Sequence, residues 1–177
     1  MNQFRKNNRP TVLDRFWAAL SFLKYRKHRS VFFELGSYLY RYHKNVTIAS
    51  GVYFKRNSIV GCANQDALIS IGENTTIGFN SVIISSSKVE IGSDCMIAPN
   101  VYMVDSNHGT ELEIPFNQQE NVVSPISIGD NVWIGAHSVI LAGVTIVAGS
   151  IVGANSTVTS SILKQGVYVG SPARQLK

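Results

Sequence analysis

Aliphatic side chains recur at every sixth position through most of the chain. Ile128, Ile134, Ile140, Ile146, Val152 and Val158 form one run, and Ile71, Ile77 and Ile83 form an earlier one. A small or aliphatic residue usually follows the anchor, as in Ile71-Gly72, Ile77-Gly78 and Ile134-Gly135. A period of six matches neither the 3.6-residue turn of a helix nor the two-residue alternation of a half-buried strand. It matches a chain that bends every six residues and regains the same side after three bends. The pattern predicts an all-β fold, a parallel β-helix of hexapeptide units that each bury one anchor.

The breaks in the rhythm set the organisation. The coil is expected to begin near Val46, with Ile48, Phe54 and Val60 as its first inward positions. Extra residues fall around 61–65 and between Val89 and Ile91. After Met103 the rhythm resumes only at Ile128, so residues 109–127 are expected as a loop pushed out of the coil. That loop carries Glu111, Glu113 and Glu120, and so long an insertion in so regular a scaffold points to function. Residues 46–163 are assigned to the coil and 164–177 to a cap over its open end, since a bare end would expose unpaired strand edges. Residues 1–45 are expected to cap the other end. Leu13, Phe16, Trp17, Leu20 and Leu23 recur at helical spacing after Thr11 and Asp14, which predicts an amphipathic helix over 12–26. The aromatic stretch 31–42 is taken as a second short helix.

Charge divides the chain in two. Residues 1–56 hold 12 of the 16 Lys and Arg but 2 of the 11 Asp and Glu, whereas residues 57–177 are net acidic. This asymmetry argues for two physical jobs and against a nucleic-acid binder. The basic segment, with Phe16, Trp17, Phe22, Phe32 and Phe33, suits either a solvated cap or peripheral contact with an anionic membrane surface. No apolar run is long enough for a transmembrane helix, and the N-terminus does not read as a signal peptide. A cytoplasmic location is expected, possible peripheral contact at the inner face of the membrane aside. Cys62 and Cys95 stand far apart without metal-site spacing and are expected as buried, reduced hydrophobes.

The stretch IGDNVWIGAHSVILAGVTIVAGSIVGANSTVTSS and the ending VGSPARQL resemble the hexapeptide-repeat acyltransferases, over roughly residues 46–177. Cys95-Met96-Ile97-Ala98-Pro99-Asn100, the His before the loop and Asn131-Val132-Trp133-Ile134-Gly135 are similar to the branch of galactoside, maltose and xenobiotic acetyltransferases and polysaccharide O-acetyltransferases. The resemblance implies a left-handed coil, a homotrimer with active sites between subunits, and acetyl-CoA as acyl donor without a metal. It implies that His108 is the catalytic base and that Trp133 lines the site, its backbone helping to hold the imidazole. Asn80, Asp105, Asn107 and Trp133 are the expected acceptor-binding residues. Gly135, Ala136, Ala154, Thr159 and Arg174 match the coenzyme A groove. Where the family often has Lys after the Thr, this chain has Ser160, so Lys164, Arg174 and Lys177 are the candidates for the phosphates.

The resemblance implies acetyl transfer to a sugar hydroxyl, expected in cell-surface polysaccharide biosynthesis. A sugar hydroxyl is a very weak acid, so its attack on a thioester needs a base, and imidazole suits that task near neutral pH. The tetrahedral oxyanion would be met by backbone N–H groups beside a Gly-rich corner. The chain shows no G-x-S-x-G elbow, so direct transfer is expected rather than an acyl-enzyme. His137 is expected to point outward. Serine or antibiotic acetylation is the nearest alternative. A zinc-dependent carbonic anhydrase on the same coil would want three His ligands, while the coil offers only His108 and His137. A β-helix scaffold without activity is the non-enzymatic alternative.

Overall fold

A computed structural model describes residues 12–24 and 30–177. Helix α1 (Val12–Lys24) is followed by a parallel β-helix of about six turns, with three short strands in each turn but the last. Turn one holds β1 (Phe32–Phe33), β2 (Tyr38–Tyr40) and β3 (Val46–Ile48), and turn two β4 (Tyr53–Phe54), β5 (Ile59–Cys62) and β6 (Leu68–Ile71). Turn three holds β7 (Thr76–Ile77), β8 (Val82–Ser85) and β9 (Lys88–Ile91). Turn four runs through β10 (Met96–Ile97) and β11 (Tyr102–Val104), leaves the coil as the hairpin β12 (Ser106–His108) and β13 (Asn121–Val123), and returns as β14 (Ile126–Ile128). Turn five is β15 (Trp133–Ile134), β16 (Val139–Ile140) and β17 (Thr145–Ile146). Turn six is β18 (Ile151–Val152), β19 (Thr157–Val158) and a bridge from Ile162 to Ile146, after which β20 (Val167–Val169) and β21 (Arg174–Gln175) close the end.

Strands in register stack into three faces. The first contains β1, β4, β7, β10, β15, β18 and β20, the second β2, β5, β8, β11, β16 and β19, and the third β3, β6, β9, β14 and β17. Every period-six anchor lies inside: Phe54, Ile77, Ile97 and Ile134 on the first face, Ile83, Met103 and Ile140 on the second, Ile71, Ile128 and Ile146 on the third. Each rung thus covers the apolar floor of the rung before it, which drives the stack. Glycine after an anchor marks close approach between rungs. A Cβ on Gly78 would collide with the backbone of Ala98, and one on Gly135 would meet the Ala154 nitrogen at 2.5 Å.

The bends use left-handed backbone. Asn57, Asn80, Asn100, His137 and Asn155 all have φ between 55° and 60° and form a column along the edge between the first and second faces. Each donates its N–H to a carbonyl one turn earlier, as from Asn100 to Phe79 at 2.8 Å and from His137 to Pro99 at 3.0 Å. Asparagine tolerates this conformation better than other residues with side chains.

The expected second helix over 31–42 is instead the first two strands of the coil. Phe33 and Leu39 are buried, and Phe33 stacks on Phe54 with ring centroids 4.6 Å apart. The first turn therefore starts at Phe32 rather than near Val46. Helix α1 agrees with the helical spacing, and its last two expected residues lie outside the described set. The C-terminal segment covers the last turn by adding β20 in parallel to β18 and then β21 antiparallel to β20.

Candidate active site

The hairpin that carries His108 begins where Asp105 enters the protein interior. Asp105 is fully buried, and its carboxylate accepts the Ser85 hydroxyl at 2.8 Å and the N–H groups of Ser86, Ser87 and Lys88 at 2.6, 2.9 and 2.7 Å. Its carbonyl accepts the Ser124 N–H at 2.9 Å, which closes the base of the hairpin. Three residues on, His108 pairs with Asn121 across the hairpin and is exposed. The tip is closed by Gln119, whose side chain accepts from Glu111 N–H at 3.0 Å and donates to the carbonyls of Glu111 and Ile114. The expected loop 109–127 is thus an ordered excursion, rooted by Asp105 and leading back into β14.

His108 opens onto a groove of about 320 Å³. Ser106, Asn107 and Asn121 supply its polar wall; Tyr102, Val104, Val139 and Leu141 of the second face supply its apolar floor. A base, two carboxamides and an apolar floor can hold a hydroxyl-bearing acceptor beside an acyl group. Thr159 follows this floor by one rung, because Leu141 N–H donates to the Val158 carbonyl.

A second groove, of about 270 Å³, lies on the first face. Lys55, Phe79, Met96, Pro99 and Trp133 line it. Lys55 is buried against Glu34, 3.1 Å from Nζ to Oε1, and its ammonium sits 4.4 Å from the Tyr53 ring centre. Within one chain Trp133 and His108 therefore line different grooves, and the Trp133 N–H donates to Ser150 rather than to the imidazole.

The other sequence candidates separate in the same way. Asn107 lies with His108. Asp105 does not face the groove; its oxygens are occupied by the four donors above, so it roots the hairpin instead of binding an acceptor. Asn80 is exposed, but it belongs to the edge column, and Asn57 donates to its side-chain oxygen at 3.4 Å. Gly135, Ala136 and Ala154 share that edge near the last turns. The N–H groups of Gly135 and His137 donate within the coil, to Val152 and Pro99, so neither is an oxyanion donor. Lys164, Arg174 and Lys177 are exposed in the C-terminal segment, where Arg174 donates to the Ala173 carbonyl at 2.9 Å. His137 points outward, as expected, 3.4 Å from the Asn100 side chain. The Asp105 cluster and the buried Lys55–Glu34 pair were missed in the sequence. The only signal for the first was an Asp immediately before the break in rhythm.

Both thiols are free and buried. Burial, and secondarily the Asp105 charge, pushes the Cys62 thiol up to about 11; burial also raises that of Cys95. At pH 8 the thiolate of Cys62 is then roughly a thousandth of the total. Alkylation of the native protein at that pH should leave both cysteines unmodified, whereas both should react in urea. Rapid native labelling of Cys95 would reinstate it as a candidate nucleophile. Among the described residues no three His, Cys, Asp or Glu side chains form a cluster fit for a metal ion.

Known proteins share the repeat and the coil. The family described as bacterial transferase hexapeptide (six repeats) matches residues 125–160, and the hexapeptide repeat of succinyl-transferase matches residues 68–103. The galactoside O-acetyltransferase of Escherichia coli K12 is 42% identical over 109 residues, which cover 62% of this chain and 53% of that protein. A putative lipopolysaccharide biosynthesis O-acetyl transferase of the same organism is 34% identical, covering 62% of this chain and 60% of its own. A solved galactoside acetyltransferase in complex with coenzyme A superposes with a TM-score of 0.59 at 35% identity, covering 81% of this chain and 64% of that one. The chain spans about half the length of the galactoside relative. The repeats in sequence and the three-sided coil they build make this chain similar to the hexapeptide-repeat transferases.

Proposed function

We propose that the protein is an O-acetyltransferase that moves the acetyl group of acetyl-CoA to a sugar hydroxyl. The observation that carries this reading is His108, exposed on a rooted hairpin at the mouth of a groove with Asn107 and Asn121. The likeness to galactoside and lipopolysaccharide O-acetyltransferases supports the donor and the acceptor class. In the reaction, the imidazole takes the proton of the acceptor hydroxyl as its oxygen attacks the thioester carbonyl. The C–S bond then breaks, and the leaving thiolate takes the proton from the imidazolium. Both thiols are buried and burial shifts each towards its protonated form, which favours direct transfer over an acyl-enzyme. Gly135, Ala136, Ala154 and Thr159 are the proposed wall for coenzyme A, with Lys164, Arg174 and Lys177 near its phosphates. Asn80 is retained on the acceptor side.

We further propose a homotrimer whose sites lie between subunits. The outward side chains of the three faces differ: Tyr53, Met96, Trp133 and Ile151 on the first and Ile59, Val82, Tyr102 and Val139 on the second, against Thr47, Ser70, Glu90, Ser127 and Thr145 on the third. Two apolar faces and one polar face suit a closed ring in which the first face of one subunit meets the second face of the next. That packing would bring Trp133 of one copy towards His108 of another, which a single chain does not do. The exposed Leu112, Phe116 and Val122 of the hairpin would find cover on the neighbour. Light scattering should give about 58 kDa, three times the 19.4 kDa chain. A monomer mass at micromolar concentration would contradict the shared site.

The acceptor is proposed to be a cell-surface polysaccharide or its lipid-linked precursor, modified in the cytoplasm. Deleting the gene and reading O-acetyl groups of surface glycans by NMR tests this. An unchanged pattern, with turnover on serine or an antibiotic, would move the acceptor to those classes.

A further inference from the structure

Among the described residues, helix α1 is tied to the first turn through the side that carries Trp17. It packs against β1, and Trp17 lies on the core and donates its indole N–H to the Ser37 carbonyl at 3.0 Å. On another side Val12, Leu13, Phe16 and Leu20 fall within an arc of about 100°. They are bare: Val12 is 81%, Leu13 62%, Phe16 65% and Leu20 45% exposed. Four large apolar side chains in one stripe exceed what a solvated cap requires. The helix is too short to cross a bilayer, and no described helix is long and apolar enough to do so.

The charge around the stripe narrows the occupant. Arg5, Lys6 and Arg9 precede the helix, Arg15 lies on it, and Lys24, Arg26, Lys27 and Arg29 end or follow it. Asp14 is the one acidic residue among the first 29. The middle of the coil and its hairpin are net acidic, with nine Asp and Glu against one Lys over 57–130. A second copy of the chain would bring the same positive charge against this stripe. An anionic lipid surface offers both an apolar layer for the side chains and phosphates for the flanks.

We propose that α1 lies in the plane of an anionic bilayer, with Val12, Leu13, Phe16 and Leu20 entering the acyl boundary and the basic flanks on the headgroups. Reversible peripheral attachment of this kind takes two signals, an apolar stripe and a polybasic segment, and this end of the chain has both. The acidic middle of the coil and its hairpin are repelled by the same surface, so the first turn faces the lipid. The docking stands whether or not the groove transfers acetyl groups, and its test uses no turnover.

The full-length protein is sedimented with phosphatidylcholine vesicles with and without phosphatidylglycerol, at ~0.05 M and ~0.5 M salt. It should pellet with the anionic vesicles alone and detach as salt rises. The double variant Phe16→Ser with Leu20→Ser should bind about tenfold or more weakly. The triple variant Arg26→Ser, Lys27→Ser, Arg29→Ser, which leaves the stripe intact, should also bind more weakly. Both should keep the wild-type mass in light scattering and the wild-type melting temperature. Absence of binding to anionic vesicles, or wild-type binding by either variant, overturns the proposal. A change of mass in the serine double variant overturns it too, because the stripe would then be a contact between copies.

Discussion

Replacing His108 with Ala is expected to lower kcat by about 10²–10⁴ while coenzyme A binding and the fold stay intact. The imidazole is exposed at a hairpin edge, so removing it takes little packing from the coil. Asn121 across the hairpin and Asn107 beside it remain to shape the groove, but neither is a base. The loss should therefore fall on kcat rather than on the KM for acetyl-CoA. The melting temperature should stay within a degree or so of wild type, since exposed substitutions lie within about 0.5 kcal/mol. Turnover near the wild-type rate in the purified variant would remove His108 from the mechanism and leave the groove without a base.

Replacing Asp105 with Ala is expected to have the opposite profile, with stability lost first. The buried carboxylate serves one hydroxyl and three backbone N–H groups between Ser85 and Lys88. Alanine leaves those donors without an acceptor, a cost of about 3 kcal/mol or more. For a chain of this size that lowers the melting temperature by roughly 6–12 °C. The hairpin is rooted at the same residue, so His108 should also lose its fixed position, with kcat falling about tenfold or more. A variant that melts like wild type and loses only affinity for the acceptor would restore Asp105 to the acceptor-binding role its neighbourhood in sequence suggested.

The coil was legible because one physical demand repeats. Each rung must bury one residue under the next, and Ile71, Ile77, Ile97, Ile134 and Ile146 all mark it at a spacing no helix or lone strand produces. The first turn escaped for the same reason. Its anchors Phe33 and Leu39 are six apart, but Tyr40 to Asn45 stretch the next bend, and aromatic residues near a helix read as more helix. The left-handed Asn column is visible as Asn57, Asn80, Asn100 and Asn155, yet asparagine equally suits a polar site, so spacing alone does not separate the two roles at Asn80. Asp105 shows the limit of reading along the chain. Its partners lie some twenty residues earlier, and only the fold shows that it enters the interior while His108, three residues later, leaves it. The separation of Trp133 from His108 within one chain was also out of reach, because spacing does not say which face of the coil a residue occupies.

The most direct test of acetyl transfer at the His108 groove is thiol release from acetyl-CoA by the purified protein against a panel of sugars, with product mass read in parallel. Thiol release should depend on a sugar acceptor, the product should be heavier by one acetyl group and sensitive to mild alkali as an ester is, and both should be lost in the His108→Ala protein. Failure of every sugar to elicit release, in a protein that also does not bind coenzyme A, would contradict the account and leave the coil as a scaffold.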